Sequence, residues 1–277
     1  MKSYKLSSLK FVLLSLIMAL ALMPALFAAD PSAGKTEPAA DEFRKLENQA
    51  FGVGEKLTFD VKYGFVKAGV ATMSIPKLKK ISGRDALHIT FNVASVSSFD
   101  WVYKVRDRYE TYLDYHGLFP WRFEQHIREG GYSRDFSAYF DQRNGKAKTS
   151  EGEYKIPQYV NDIVSAFYLA RTFDYSKMKK GERIHLQNFY KDKVYPLDVL
   201  YHGKENVEVA AGKFECIVVE PLVEEGGLFK SDGSILVWLT NDRLKVPVKV
   251  KTKVIIGSID AELTAYEGLQ GKITARR

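Results

Sequence analysis

A mainly β fold, a large antiparallel meander curled into a barrel or half-barrel with one central helix and a short N-terminal helix, is what this 277-residue sequence predicts. Three observations carry it. Beyond Phe51 most of the chain alternates apolar and polar side chains with period two, as strands with one covered face do. Gly-Gly and Asn-Gly steps divide these runs at hairpin spacing, with no crossover helices between them. One internal segment, Asn161 to Arg171, changes to a helical period.

Residues 1–28 join Lys2, Lys5 and Lys10 to an apolar run from Phe11 to Leu22, a break at Pro24 and small residues at Ala28 and Ala29. That is the three-part pattern of a secretory signal peptide. The run is shorter than the about 20 apolar residues that span a bilayer. The expectation is therefore a periplasmic protein with no transmembrane span after cleavage. Cys216 is the only cysteine, which excludes both lipid attachment at the cleavage point and an internal disulfide, so stability must come from a core. Loss of the three signal lysines takes the formal charge from +7 to 7 − 3 = +4. An excess this mild, on an exported chain, argues against a nucleic-acid partner.

Residues 29–50 read as a flexible lead ending in a short helix, with Phe43, Leu46 and Ala50 at helical spacing. Residues 51–270 read as a single β-rich domain. Leu57, Phe59, Val61 and Tyr63 share one strand face; the next strand offers either Val70, Thr72 and Ser74 or Ala71, Met73 and Ile75. Gly64 and Gly69 sit where a turn or bulge belongs, and Gly130-Gly131, Asn144-Gly145, Gly203 and Gly212 mark hairpins. In "DWVYKVRDRYETYLDY", Trp101, Tyr103, Val105, Asp107, Tyr109, Thr111 and Leu113 fall on one face and Lys104, Arg106, Arg108, Glu110 and Asp114 on the other. Asn161 or Asp162 caps a helix whose apolar side holds Ile163, Val164, Ala166, Phe167 and Ala170, and which lies against the sheet or plugs one end of it. Near the end, Val246, Val248, Val250, Thr252, Val254 and Ile256 alternate with Lys249, Lys251 and Lys253.

"FGVGEKLTFDVKYGFVKAGVATM", "NDIVSAFYLAR", "AAGKFECIVVEP" and "VWLTNDRLKVPVKVKTKVIIGSIDAELT" together resemble the exported bacterial family catalogued as domain of unknown function 3108, over about residues 50–270. The resemblance implies an exported domain of Gram-negative origin and brings no catalytic residue or ligand with it. Its general plan is similar to envelope proteins in which a curved antiparallel sheet wraps a helix and shelters lipid.

Motifs of enzyme chemistry are missing: no Gly-x-Ser-x-Gly elbow, no His-Glu-x-x-His, no paired Cys-x-x-Cys and no phosphate-cradling glycine loop. Ser74 to Lys77 matches Ser-x-x-Lys, but Pro76 and a strand period point the two side chains apart. The five histidines are scattered, and His126 and Glu129 would face opposite ways on a strand, so neither a metal nor any other cofactor is expected. Asp107 stands out because it lies on the apolar face; a buried carboxylate needs a partner or a raised pKa, and Arg122, Arg128 and Arg134 are in reach as partners. Cys216 alternates with Phe214 and Val218 and reads as a small buried hydrophobe.

Tyr and Phe, 16 and 17 of them, are spread over nearly every strand and so fill a wide interior, unlike the few exposed rings of a nucleic-acid platform. The expected function is non-enzymatic binding of a lipid-class envelope ligand in a barrel-like interior. Trp101, Tyr103, Asp107, Tyr109, Phe167 and Trp238 are the expected ligand contacts, and Lys249, Lys251 and Lys253 a stripe for anionic headgroups such as lipopolysaccharide phosphates, or for a protein partner. The alternatives are a module that docks on an outer-membrane or cell-wall protein, and an envelope hydrolase with Asp107 as an acid.

Overall fold

A computed structural model of the chain describes residues 43–223, 235–253 and 257–277. The expected signal peptide, most of the expected lead, and Val254 and Ile256 lie outside the described residues. Fourteen strands among the described residues form one antiparallel sheet: β1 Lys56–Tyr63, β2 Val66–Ile81, β3 Arg84–Ser95, β4 Arg106–Asp114, β5 Pro120–Glu129, β6 Tyr132–Asp141, β7 Lys146–Thr149, β8 Gly152–Lys155, β9 Arg183–Tyr190, β10 Lys193–Val209, β11 Gly212–Val223, β12 Ile235–Thr240, β13 Pro247–Lys253 and β14 Ser258–Glu267. The spatial order is β8-β7-β6-β5-β4-β3-β2-β1-β14-β13-β12-β11-β10-β9. Two meanders, one from each half of the chain, are thus joined where β1 pairs with β14. Two helices are present among the described residues, α1 Ser97–Asp100 and α2 Ile163–Ala170.

The sheet is not closed. Its margins, β8 and β9, come together through rings instead of ladder hydrogen bonds: Phe189 of β9 lies 5.8 Å from Phe140 and 5.9 Å from Tyr154. Asn161, just before α2, covers the β9 margin, donating its N–H to the Gln187 carbonyl at 2.9 Å and accepting from the Phe189 N–H at 2.7 Å. An otherwise bare strand edge is satisfied in this way. The second residue of the Asn-Asp pair, Asp162, is the cap: its Oδ1 accepts from the Val164 and Ser165 N–H groups at 2.8 and 2.9 Å, and Ser165 Oγ returns the bond to Asp162 N–H. That reciprocal capping box fixes the start of α2 inside the curl of the sheet.

Alternation places the β2 side chains Ala71, Met73 and Ile75 inside, with Leu57, Phe59 and Val61 of β1. Four expectations are corrected. No helix forms over 43–50: the Asn48 side chain accepts from the Ala50 N–H at 3.0 Å and donates to the Phe51 carbonyl at 3.0 Å, closing a local turn that competes with a helix, while Phe43 is held against Phe119 and Trp121. Gly203, at φ 107, marks a bulge inside the long β10, not a hairpin. Glu110 and Asp114 are not on a solvated face: both are buried, Asp114 gripped by Arg84 Nε at 2.6 Å and Trp121 Nε1 at 3.0 Å. In β13 a register shift opposite Trp238/Leu239 breaks the alternation, so that Pro247 and Val250 face one interior while Val246 and Val248 join the core cluster.

Candidate functional site

Where β1, β2, β3 and β10 to β14 curl over α2, their inner faces leave a partly open cavity of about 270 Å³. Among the described residues only Thr252 brings a polar side chain to its wall; the rest is Val, Ile, Leu, Ala, Phe, Met and Pro. Helix α2 presents Ile163, Ala166, Phe167 and Ala170 to it, a stripe at i, i+3, i+4 and i+7. From the sheet, Phe59, Met73, Val199, Val237 and Leu239 face the same space.

The helix is held by an ion pair that the sequence reading did not single out. Arg171, at the C-terminal end of α2, donates Nη1 and Nη2 to Glu55 at 2.6 and 2.8 Å, and both side chains are fully buried. The guanidinium also donates to the carbonyls of Lys245, Leu244 and Ala50, and lies 5.2 Å from the Phe51 ring and 5.1 Å from the Tyr168 ring. Each of its three nitrogens thereby has an acceptor, the condition under which a buried ion pair is tolerated. Gly54 before Glu55 is met by Gly268, where a Cβ would lie 1.8 Å from the Gly54 carbonyl oxygen; Gly268 also has φ +65, so no side chain fits. The signal was present in the sequence as the Gly-Glu step and as the arginine ending "NDIVSAFYLAR".

A second polar group lies near one end of the cavity. Asp107, 2% exposed, accepts the Arg128 N–H at 2.8 Å and faces Glu129, 1% exposed. Neither is paired with an arginine: the Arg128 guanidinium turns to Asp135, Arg134 to Glu151 and Arg122 to Glu124. Burial raises the Asp107 carboxyl, and burial together with the Asp107 charge pushes Glu129 up to about 9. Glu129 therefore keeps its proton at neutral pH, the usual outcome for one of two like-charged groups in an apolar setting. The Tyr103 hydroxyl beside them is pushed up to about 12, by burial first and then by Glu129. Glu129 walls a smaller cavity of about 30 Å³ that shares Val61, Val93 and Ile259 with the large one. The alternation that flagged Asp107 also aligns Glu129 with Phe123, Gln125 and Ile127, which is how it could have been found.

Of the expected contacts, Phe167 stands at the cavity wall. Trp101 is 84% exposed on the turn after α1, a correction to its expected place inside. Tyr109 packs behind the wall, 5.9 Å from Phe91, and Tyr103 sits with the carboxyl pair. Trp238, expected as a ligand contact, points to the face opposite Val237 and Leu239 and donates Nε1 to Glu205 at 2.8 Å, away from the cavity. Lys249 does not stand free: it pairs with Asp260 at 3.0 Å and Glu262 at 2.7 Å, whereas Lys251 is half-buried and Lys253 exposed. Ser74 bonds Thr90 Oγ1 at 2.8 Å, and Lys77 lies beyond a bulge. Cys216 is fully buried, and burial pushes its thiol up to about 12, far from a nucleophile's range. Glu110, Glu124 and His126 converge on the outer face, but arginines 108 and 122 already neutralise the two carboxylates.

Fold and site together define a barrel-like antiparallel protein whose open sheet encloses one helix and an apolar cavity. The chain belongs to the family described as protein of unknown function (DUF3108), whose pattern matches residues 58–264. No curated protein matches it. Among solved structures it is similar to a β-barrel-like protein of the domain of unknown function DUF1849 from Brucella abortus, at 10% identity and a TM-score of 0.50, over 78% of this chain and 97% of that one. A candidate lipoprotein from Parabacteroides distasonis (8% identity, TM-score 0.36, 82% and 100% coverage) and a candidate exported protein with a YmcC-like fold from Bacteroides fragilis (12%, 0.34, 79% and 100%) are similar at a lower level. At these identities the likeness speaks for the fold alone. No helix among the described residues is long and apolar enough to cross a membrane.

Proposed function

We propose that the protein is a non-enzymatic, periplasmic binder of a lipid-class envelope ligand, whose apolar chain occupies the cavity against Phe167. The observation that carries this reading is the lining, which offers one polar side chain, Thr252, in about 270 Å³. An apolar chain seated there removes that wall from water, and burial of apolar surface drives its binding. The size suits a single acyl chain rather than a whole phospholipid, since drug-sized pockets begin at about 300 Å³.

Native mass spectrometry of the protein extracted from periplasm tests the reading: a co-purifying amphiphile is expected. Ala166→Phe and Ala261→Phe, which fill the space from the helix and from the sheet, are expected to abolish uptake of a fluorescent fatty acid while preserving the β circular dichroism signal. Unchanged uptake in both variants would refute the cavity as the site.

A further inference from the structure

The largest exposed apolar side chains do not scatter over the surface. Phe65 is 105% exposed, Trp101 84% and Val66 59%, the three highest values among large hydrophobic residues that are described. All three sit at one end of the sheet. Phe65 forms the tip of the β1–β2 hairpin closed by the Tyr63–Val66 pair, and Trp101 follows α1 in the β3–β4 connection. The Ala68 carbonyl accepts the Val96 N–H at 3.0 Å, which ties the two connections side by side. The adjoining β5–β6 turn, held by the Gly130 N–H to the Lys104 carbonyl at 2.8 Å, adds Tyr132 at 37% exposure.

The charge at this end complements the rings. Lys67, Lys104, Arg106 and Lys253 are exposed here, the last on the strand of β13 whose final residue pairs with Ser258 beside the β1–β2 tip. Two carboxylates answer them, Asp60 to Lys67 at 2.6 Å and Asp100 to Arg106 at 2.6 Å. Lys104 and Lys253 make no ion pair among the described residues, so cationic charge is in excess. Rings and aliphatics at loop tips, flanked by unneutralised lysines, are what the interfacial zone of an anionic bilayer accepts: amphipathic rings settle at headgroup depth, and each lysine near the surface adds roughly 1 kcal/mol.

We propose that the end bearing Phe65, Val66 and Trp101 is a membrane-docking rim that sets these side chains among the headgroups of an anionic phospholipid bilayer, with Lys104 and Lys253 meeting the phosphates. The proposal rests on exposure and charge at the rim, independently of what fills the cavity. The smaller cavity lies directly behind the rim, walled by Tyr63, Ala68, Gly69, Ala94 and Ser95.

Tryptophan emission tests it in the full chain. Trp121 and Trp238 are 6% and 8% exposed, and residues 1–42 contain no tryptophan, so membrane-induced change reports Trp101 whatever the N-terminal segment does. With vesicles of equal parts phosphatidylglycerol and brominated phosphatidylcholine, emission is expected to shift to the blue and be quenched; with brominated phosphatidylcholine alone the effect should be much weaker. Phe65→Ser combined with Val66→Ser is expected to weaken the vesicle affinity read from this quenching at least about tenfold, and Lys104→Glu with Lys253→Glu to remove the preference for phosphatidylglycerol. No quenching of the wild-type chain overturns the proposal, and this arm needs no variant to fold. Equal quenching in the folded Phe65/Val66 variant overturns it too, as does sedimentation in which that substitution converts a dimer to a monomer while vesicles leave Trp101 unquenched.

Discussion

Glu129 and Asp107 have no cation to answer them, so their proton is part of the fold. A carboxyl whose folded pKa lies above its unfolded value, near 4.3 for Glu, contributes stability in its protonated form; that contribution is complete below the unfolded value and is lost as pH rises through about 9. Asp162, raised to about 6 by complete burial, acts in the same sense at lower pH, between about 4 and 6. The urea midpoint of the wild type is therefore expected to fall between pH 7 and 9.5, and Glu129→Gln, which keeps the shape and needs no proton, to flatten that fall. Equal slopes in the two proteins would contradict the assignment. A second outcome concerns Arg171: Arg171→Met leaves Glu55 buried and unpaired, for an expected loss of about 3–5 kcal/mol in chemical denaturation. Asp107 was legible as a buried carboxyl because its place in a period-two run is unambiguous. Its partner was not, since pairing across β4 and β5 depends on register, and three nearby arginines offered a more ordinary answer.

At the level of elements, α2 was readable to within its cap because capping chemistry is local. "Asn-Asp" before an apolar stripe allows two caps; the tertiary structure decides, since Asn161 is spent on the β9 margin and Asp162 on the helix. Asp162 Oδ2 also accepts Thr111 Oγ1 at 2.6 Å, which ties the cap to β4. Asp162→Ala is expected to cost about 1–2 kcal/mol by thermal or urea unfolding, with Asp162→Asn retaining most of it. The helix expected over 43–50 failed for an equally local reason, the Asn48 turn, together with a distant one: Phe43 is wanted by Phe119 and Trp121. Strand faces were legible where the period ran unbroken, as in β1. They were lost at the bulge of β13, because one extra residue inverts every side chain beyond it.

In the whole molecule, a curled antiparallel sheet around one helix follows from hairpin spacing and the single change of period. The meeting of β1 with β14 does not, because pairing between strands about 200 residues apart leaves no local mark. The cavity was equally hidden: alternation says which side chains turn inward, while the volume they leave depends on how tightly fourteen strands coil. Arg171 and Glu55 clamp the end of α2 beside it, and the rings of Tyr109, Phe123 and Phe136 pack through β4, β5 and β6.

The contact of Phe189 with Phe140 and Tyr154 gives the molecule a seam of a particular kind. Everywhere else, parting two neighbouring strands means tearing a ladder of backbone hydrogen bonds; here ring contacts and the few hydrogen bonds that Asn161 and Arg134 make to β9 resist, and water can heal the exposed margins at once. Under heat, mild denaturant or a pulling force, the first breach should run along this line, with the ladders on either side still intact.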